Sequence, residues 1–292
     1  MKVLVTGADG MLGRDLVEAL RTSRCVRRPP DEVVAVDIAE LDITRADLVM
    51  DFVGSARPGV TINCAAYTNV DGAESEPELA RAVNATGAGN LARACKRFGC
   101  RMVHIGTDFI FGGEKDGLYT ETDEPRPLCA YAVGKLEGER AVAAETDDYV
   151  IARTAWLYGL HGKSFPRAIL ERAVRDGRLR VVTDQRGSPT FTRDLAPVLW
   201  DLACCGFRGI IHAAGDGACA RYEQALAVVG AAGLDVPVEP ISSAEFKRAA
   251  RVPVNSALDC ALLAGVIGRR LRPWREATGE FARECAAGMG LR

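Results

Sequence analysis

The run Lys2-Val-Leu-Val-Thr6, followed at once by glycines at positions 7, 10 and 13 and then by apolar residues at helical spacing, constrains this chain more than any other feature. Val3 to Val5 is the short apolar run of a strand buried on both faces, and Leu12, Leu16, Val17 and Leu20 line one side of a helix. Glycines placed between such a strand and helix permit a tight turn, let a pyrophosphate approach the backbone, and bring helix and strand close together. The helix N-terminus then offers unpaired N–H groups and a positive dipole end to an anion. Glycines also punctuate turns that bind nothing. Position makes the difference here, and Gly7, Asp9, Gly10, Met11, Leu12 and Gly13 are the expected dinucleotide contacts.

The strand-helix pattern repeats. Val33 to Val36, Val60 to Ile62, Met102 to Ile105 and Val150 to Ala152 read as strands, with helices near 46–53 and 80–98 between them. Residues 114–128 are rich in Gly, Pro, Glu and Asp and read as a loop leading into a helix that starts near Tyr131. Further strands are expected at 179–182 and 209–212, and helices at 195–202, 222–229, 243–250 and 274–289. Alternation of this kind implies an α/β fold: a Rossmann-like, doubly wound parallel sheet with a smaller C-terminal substrate-binding lobe. The expected division is a dinucleotide-binding domain over 1–155, with return segments near 179–205, and a mainly substrate-binding lobe over 156–292.

A hydrophobic fraction of 48%, a charged fraction of 26% and a net charge of -2 give no sign of a nucleic-acid or anionic-membrane partner. Ten cysteines without a C-x-x-C pair read as free thiols of a reducing cytoplasm. The apolar stretch at the start is too short for a signal-peptide core or a membrane span. Only three histidines occur and no His/Cys cluster has ligand spacing, so no metal is expected.

Tyr131-Ala-Val-Gly-Lys135 sets a phenol and an ammonium one helical turn apart on one face. A nearby cation stabilises phenolate and suits the phenol to proton donation toward a carbonyl oxygen. Such pairs also occur on ordinary surface helices, but this one follows the fourth strand and Thr107, whose hydroxyl could reach the same oxygen or simply cap a turn. Asp37, at the end of the second strand, reads either as an acceptor for the adenosine ribose hydroxyls, which would favour NADH, or as a solvated strand end.

Longer stretches carry a resemblance: Asn63-Cys-Ala-Ala-Tyr-Thr-Asn-Val-Asp-Gly-Ala-Glu74, Asn84-Ala85, Gly106-Thr-Asp-Phe-Ile-Phe111, Tyr131 to Lys135, Arg153-Thr-Ala-Trp-Leu-Tyr-Gly159 and Asp184-Gln-Arg-Gly-Ser-Pro-Thr190. Over nearly its whole length the chain resembles the extended short-chain dehydrogenase/reductase superfamily, and within it the dTDP-4-dehydrorhamnose reductase family. The resemblance implies NADPH or NADH as cofactor and a nucleotide-sugar substrate, in a monomer or homodimer. Thr107, Tyr131 and Lys135 would form the catalytic group, with Tyr131 as proton donor and Lys135 also holding the nicotinamide ribose. Asp42 and Ile43 would flank the adenine, Ala65, Ala66 and Tyr67 would line the cofactor groove, and Thr68, Val70, Asp108, Phe109 and Trp156 would border the sugar. As a large aromatic after a strand, Trp156 equally suits a core position.

Three positions depart from the family pattern. Gly106 and Phe109 stand where Ser and Tyr are more usual, removing two hydroxyls beside the sugar, and Arg251-Val-Pro253 interrupts an Arg-Pro step expected to contact nucleotide phosphates. The leading function implied is reduction of dTDP-4-dehydro-L-rhamnose to dTDP-L-rhamnose. Two alternatives are a deoxysugar 4-ketoreductase of secondary metabolism and a non-catalytic subunit similar to the partner of methionine adenosyltransferase.

Overall fold

The computed structural model describes residues 1–22 and 29–290. Cys25 lies outside the described residues, and the nine other cysteines are free thiols.

The first half alternates as the pattern requires: β1 (Lys2–Thr6), α1 (Met11–Thr22), β2 (Glu32–Val36), α2 (Ala46–Ala56) and β3 (Val60–Asn63), then α3 (Gly72–Ser75), α4 (Pro77–Arg81), a π-helical turn at Ala82–Gly87, and α5 (Ala88–Phe98). Next come β4 (Arg101–Thr107), α6 (Ala130–Glu145), β5 (Tyr149–Thr154), β6 (Leu157–Tyr158), α7 (Phe165–Asp176), β7 (Leu179–Val182), β8 (Arg186–Gly187), β9 (Thr190–Phe191) and α8 (Thr192–Cys204). The remainder is β10 (Gly209–His212), β11 (Cys219–Ala220), α9 (Arg221–Ala231), β12 (Val238–Ile241), α10 (Ala261–Ile267) and α11 (Trp274–Gly288).

Six strands form one parallel sheet in the order β10-β5-β4-β3-β1-β2. The chain leaves β1 toward β2 on one side and returns to β3 on the other, so a crevice opens beyond the carboxyl ends of β1 and β3, where doubly wound sheets bind ligands. Both faces of the sheet are covered. Leu16 and Leu20 of α1 and Leu195, Leu199 and Leu202 of α8 pack on Val3, Val5 and Ile62 on one side. On the other, Val49, Val53, Leu91 and Cys95 pack on Leu4, Met102 and Ile151.

A separate core holds the second lobe, where α7, α9 and α11 enclose Tyr158, Phe191 and Phe281. Within 179–205, α8 returns to the sheet beside α1, whereas β7 pairs with β12 away from it. Expected helix 243–250 reduces to a single 3-10 turn at Ser243–Glu245. The residues after it are drawn out instead by Asp71, whose carboxylate accepts from the Ala250 N–H and from both Nε and Nη2 of Arg248.

The turn after β1 is closely packed against its neighbours. Gly7 has φ +67°, and a Cβ there would lie 2.5 Å from the Ala65 nitrogen. At Gly13 a Cβ would come within 2.1 Å of the Gly7 carbonyl oxygen, whereas at Gly10 the same oxygen would be 3.1 Å away. Gly13→Ala should therefore lower stability in urea denaturation by about 1–3 kcal/mol, the range for overpacking, with Gly10→Ala clearly milder. Equal stability of the two variants would contradict this account of the turn.

Candidate active site

A cavity of about 590 Å³ lies at the carboxyl ends of β1, β3 and β4, within the size range of small-molecule sites. Asp9, Gly10, Met11 and Leu12 line one end, Ala65 and Ala66 the wall, and Thr68, Val70, Thr107, Asp108, Phe109, Tyr131, Lys135 and Trp156 the other end. Of the residues singled out in the sequence, Gly7, Gly13, Asp37, Asp42, Ile43 and Tyr67 do not line it.

Those six have structural partners that explain where they are. Gly7 and Gly13 shape the turn from behind. Asp37 follows the last residue of β2, and its carboxylate accepts from the backbone N–H of Asp9 at 2.9 Å and of Ile38 at 2.8 Å. Asp42 accepts from the N–H and hydroxyl of Thr44, and Ile43 is buried in the core under Gly87. Tyr67 directs its hydroxyl to Glu76 at 2.6 Å, while its peptide groups are held by the Asn84 amide.

The groove wall is fixed by Asn63 and Asn84. Asn63 Oδ1 accepts from the Thr6 hydroxyl at 2.7 Å and from the Ala65 N–H at 3.1 Å, tying the ends of β1 and β3 together. Asn84 is brought into reach by the π-helical turn, a device common at functional sites. Both asparagines carry the family resemblance in sequence, and the structure gives them a mechanical role.

Tyr131 stands one residue into α6, whose first N–H, at Ala130, donates to Glu74 Oε1 at 2.7 Å. Phe109 meets the Tyr131 ring edge-on at 5.9 Å between centroids. Burial raises the Tyr131 phenol above its ordinary value, and a hydrogen bond with Thr107 works against that rise. This differs from the expectation that Lys135 would lower it, and the reason is geometric: the Lys135 ammonium donates to the Ile105 carbonyl at 2.5 Å. Burial also brings Lys135 down to about 8, against the pull of Glu139 and Cys64. Asp108, buried beside them, is pushed up to about 6 by desolvation, although Ser256 hydrogen-bonds its carboxylate.

Gly106 is accounted for by its neighbours. A Cβ there would lie 2.6 Å from Glu139 Oε1 and 2.8 Å from Arg153 Cγ, because a buried Arg153–Glu139 ion pair fills the space. Arg251 is exposed and does not line the cavity. The arginine that does is Arg221, which sequence reasoning missed because it opens an ordinary helix about ninety positions beyond Tyr131. His161, Gly162 and Lys163 also reach the cavity without a sequence signal. Among the described residues Asp15, Glu18 and His161 bring ligand atoms within 4.8 Å of one another, a grouping that their spacing along the chain does not reveal.

A glycine turn at the switch point of a doubly wound sheet, with Thr, Tyr and Lys side chains gathered at the next strand ends, defines a short-chain type nicotinamide-dependent reductase. The family described as the RmlD substrate binding domain matches residues 1–287, and the chain belongs to it. A dTDP-4-dehydrorhamnose reductase of Mycobacterium tuberculosis is 43% identical, with 94% of this chain and 90% of that protein covered. A probable dTDP-4,6-dihydroxy-2-methyloxan-3-one 4-ketoreductase of Streptomyces antibioticus is 39% identical, covering 96% of this chain and 94% of the relative. The crystal structure of a dTDP-4-dehydrorhamnose reductase from Bacillus anthracis in complex with NADP superposes with a TM-score of 0.91 at 35% identity, covering 97% of this chain and 99% of that one.

Proposed function

We propose that this chain reduces the 4-keto group of dTDP-4-dehydro-L-rhamnose to the alcohol of dTDP-L-rhamnose, with NADPH or NADH as hydride source. The observation that carries the reading is the meeting of Thr107, Tyr131 and Lys135 in one cavity with the glycine turn of β1. The 43% identical mycobacterial reductase supports the same substrate. No helix among the described residues is long and apolar enough to cross a membrane. Free thiols and a nicotinamide-dependent reaction support a cytoplasmic setting.

The residues present fit a dinucleotide. Gly10 leaves the turn without a side chain in the path of a pyrophosphate, the N-terminus of α1 faces that path, and Ala65 and Ala66 present small side chains along the wall. A nicotinamide bound along this groove supplies the hydride. Tyr131 donates the proton to the carbonyl oxygen as that oxygen gains charge, with the Thr107 hydroxyl as a second donor to it. Lys135 holds the nicotinamide ribose and keeps a positive charge near the developing alkoxide. Asp37 and Asp42 stand toward the adenosine end, with Ile43 backing it from the core, while the nucleotide-sugar side is shared between Thr68, Val70, Asp108 and Phe109 of the first domain and Trp156, Lys163 and Arg221 beyond it.

Tyr131→Phe keeps the ring against Phe109 and removes the acid. Turnover should fall about 10²- to 10⁴-fold, equivalent to roughly 3 to 5 kcal/mol of barrier, while NADPH affinity stays within about twofold. A folded variant that reduces the keto-sugar at the parental rate, with chemistry rate-limiting, would sink the assignment.

The Lys135 value of about 8 lies below the ordinary 10.5, so its ammonium is present at pH 7 and lost as pH rises through about 8. Affinity for NADPH, titrated by fluorescence, should drop about tenfold between pH 7 and pH 9 in the parent. In Lys135→Met it should be weaker and flat over the same interval. A parental affinity that does not change with pH would show that this ammonium does not hold the cofactor.

A further inference from the structure

Arg221 is the first residue of α9, yet it shares the reaction cavity with Asp108, Tyr131 and Trp156. Its guanidinium carbon lies 3.4 Å from the Trp156 ring centroid and 4.6 Å from that of Phe165. Aromatic carbon thus covers the plane of the cation, and only its N–H edge remains for polar partners. Among the described residues no carboxylate lies within ion-pair distance, and the side chain's own hydrogen bond is a long one, 3.4 Å to Gln224 Oε1. Burial brings Arg221 down to about 9, opposed mainly by the charge of Asp108.

Trp156 is held for this contact. Its backbone adopts φ +46°, which is rare for a bulky residue, and its indole packs on Gly187, where a Cβ would come within 2.2 Å of the ring. The stacked pair therefore has a fixed place in the cavity wall. Asp108, also in the wall, is a buried acceptor with Ser256 on one oxygen and Thr107 at 3.3 Å from the other.

A guanidinium donor edge and a carboxylate acceptor thus face one cavity, close enough to feel each other's charge and without touching. A diphosphate would be attracted by one and repelled by the other. A neutral group that both donates and accepts matches the two together, and a hexose hydroxyl is such a group. We propose that Arg221 is a sugar-specificity residue, donating to the hydroxyl-bearing edge of the hexose while Asp108 accepts from it. This inference rests on the nucleotide-sugar reading of the cavity.

The test compares the affinities of dTDP-L-rhamnose and dTDP, by calorimetry, in the parent, R221M and R221K, with NADPH binding measured alongside. R221M keeps an unbranched stem against the aromatic rings and deletes every donor. Its affinity for dTDP-L-rhamnose should fall about ten- to a hundredfold, with dTDP affinity within twofold of the parent. R221K keeps the charge without the planar fork and should lose several-fold on dTDP-L-rhamnose alone. It carries the test if R221M fails to bind NADPH and so is not folded. Unchanged affinity for dTDP-L-rhamnose in the folded variant overturns the proposal, and so does an equal loss for dTDP, which would make Arg221 a diphosphate contact. A parent that binds neither ligand overturns the nucleotide-sugar reading together with this inference, whereas a parent that reduces the keto-sugar beside an unaffected R221M overturns the inference alone.

Discussion

The backbone of the turn after β1 rests directly on the segment after β3, with no side chain between them, and the site depends on that contact. Any Cβ at Gly7 would meet the Ala65 nitrogen and α-carbon at 2.5 and 2.6 Å, so β1 and β3 can end side by side only because this position is glycine. Asn63 reinforces the contact by accepting from Thr6 and Ala65 at once. Once those ends are fixed, the N-terminus of α1 points along the crevice, and the neighbouring β4 delivers Thr107 and Asp108 to its far end. The chemistry is therefore built on strand ends anchored by the sheet.

Burial, more than pairwise charge, sets the electrostatics of the cavity. Desolvation raises Tyr131 and Asp108 and lowers Lys135 and Arg221, moving acids and bases alike toward their neutral forms. Four ionisable groups held this way, without a close ion pair among the described residues, are costly for folding, and the two apolar layers on the sheet offset that cost. A substrate that enters and hydrogen-bonds these groups replaces the water they lost.

Much of this was legible in the sequence, for physical reasons. The alternation of apolar strands with helices places each central strand to within a residue or two, because a strand buried on both faces leaves a continuous apolar run. Tyr131 and Lys135 were legible as a helical pair, and Gly7 to Gly13 as a turn. The second lobe was less so: β12 carries Glu239 and Pro240 in four residues, and α10 is a short apolar stretch that periodicity alone does not distinguish. The 243–250 stretch has helical spacing, but Asp71, far away in sequence, takes its backbone. Arg221 was illegible for the same reason, since only the folding of α9 against Trp156 reveals it.

Transfer of label from cofactor to sugar would test the proposed reduction. The parent protein, given NADPH carrying deuterium at the transferable position of the nicotinamide together with dTDP-4-dehydro-L-rhamnose in ordinary water, should yield dTDP-L-rhamnose with one deuterium bound to C4 of the sugar. Mass spectrometry and NMR of the product read this out. A product with protium at C4, or NADPH recovered unoxidised beside unchanged keto-sugar, would contradict the reading of this cavity as a hydride-transfer site with Tyr131 as its acid.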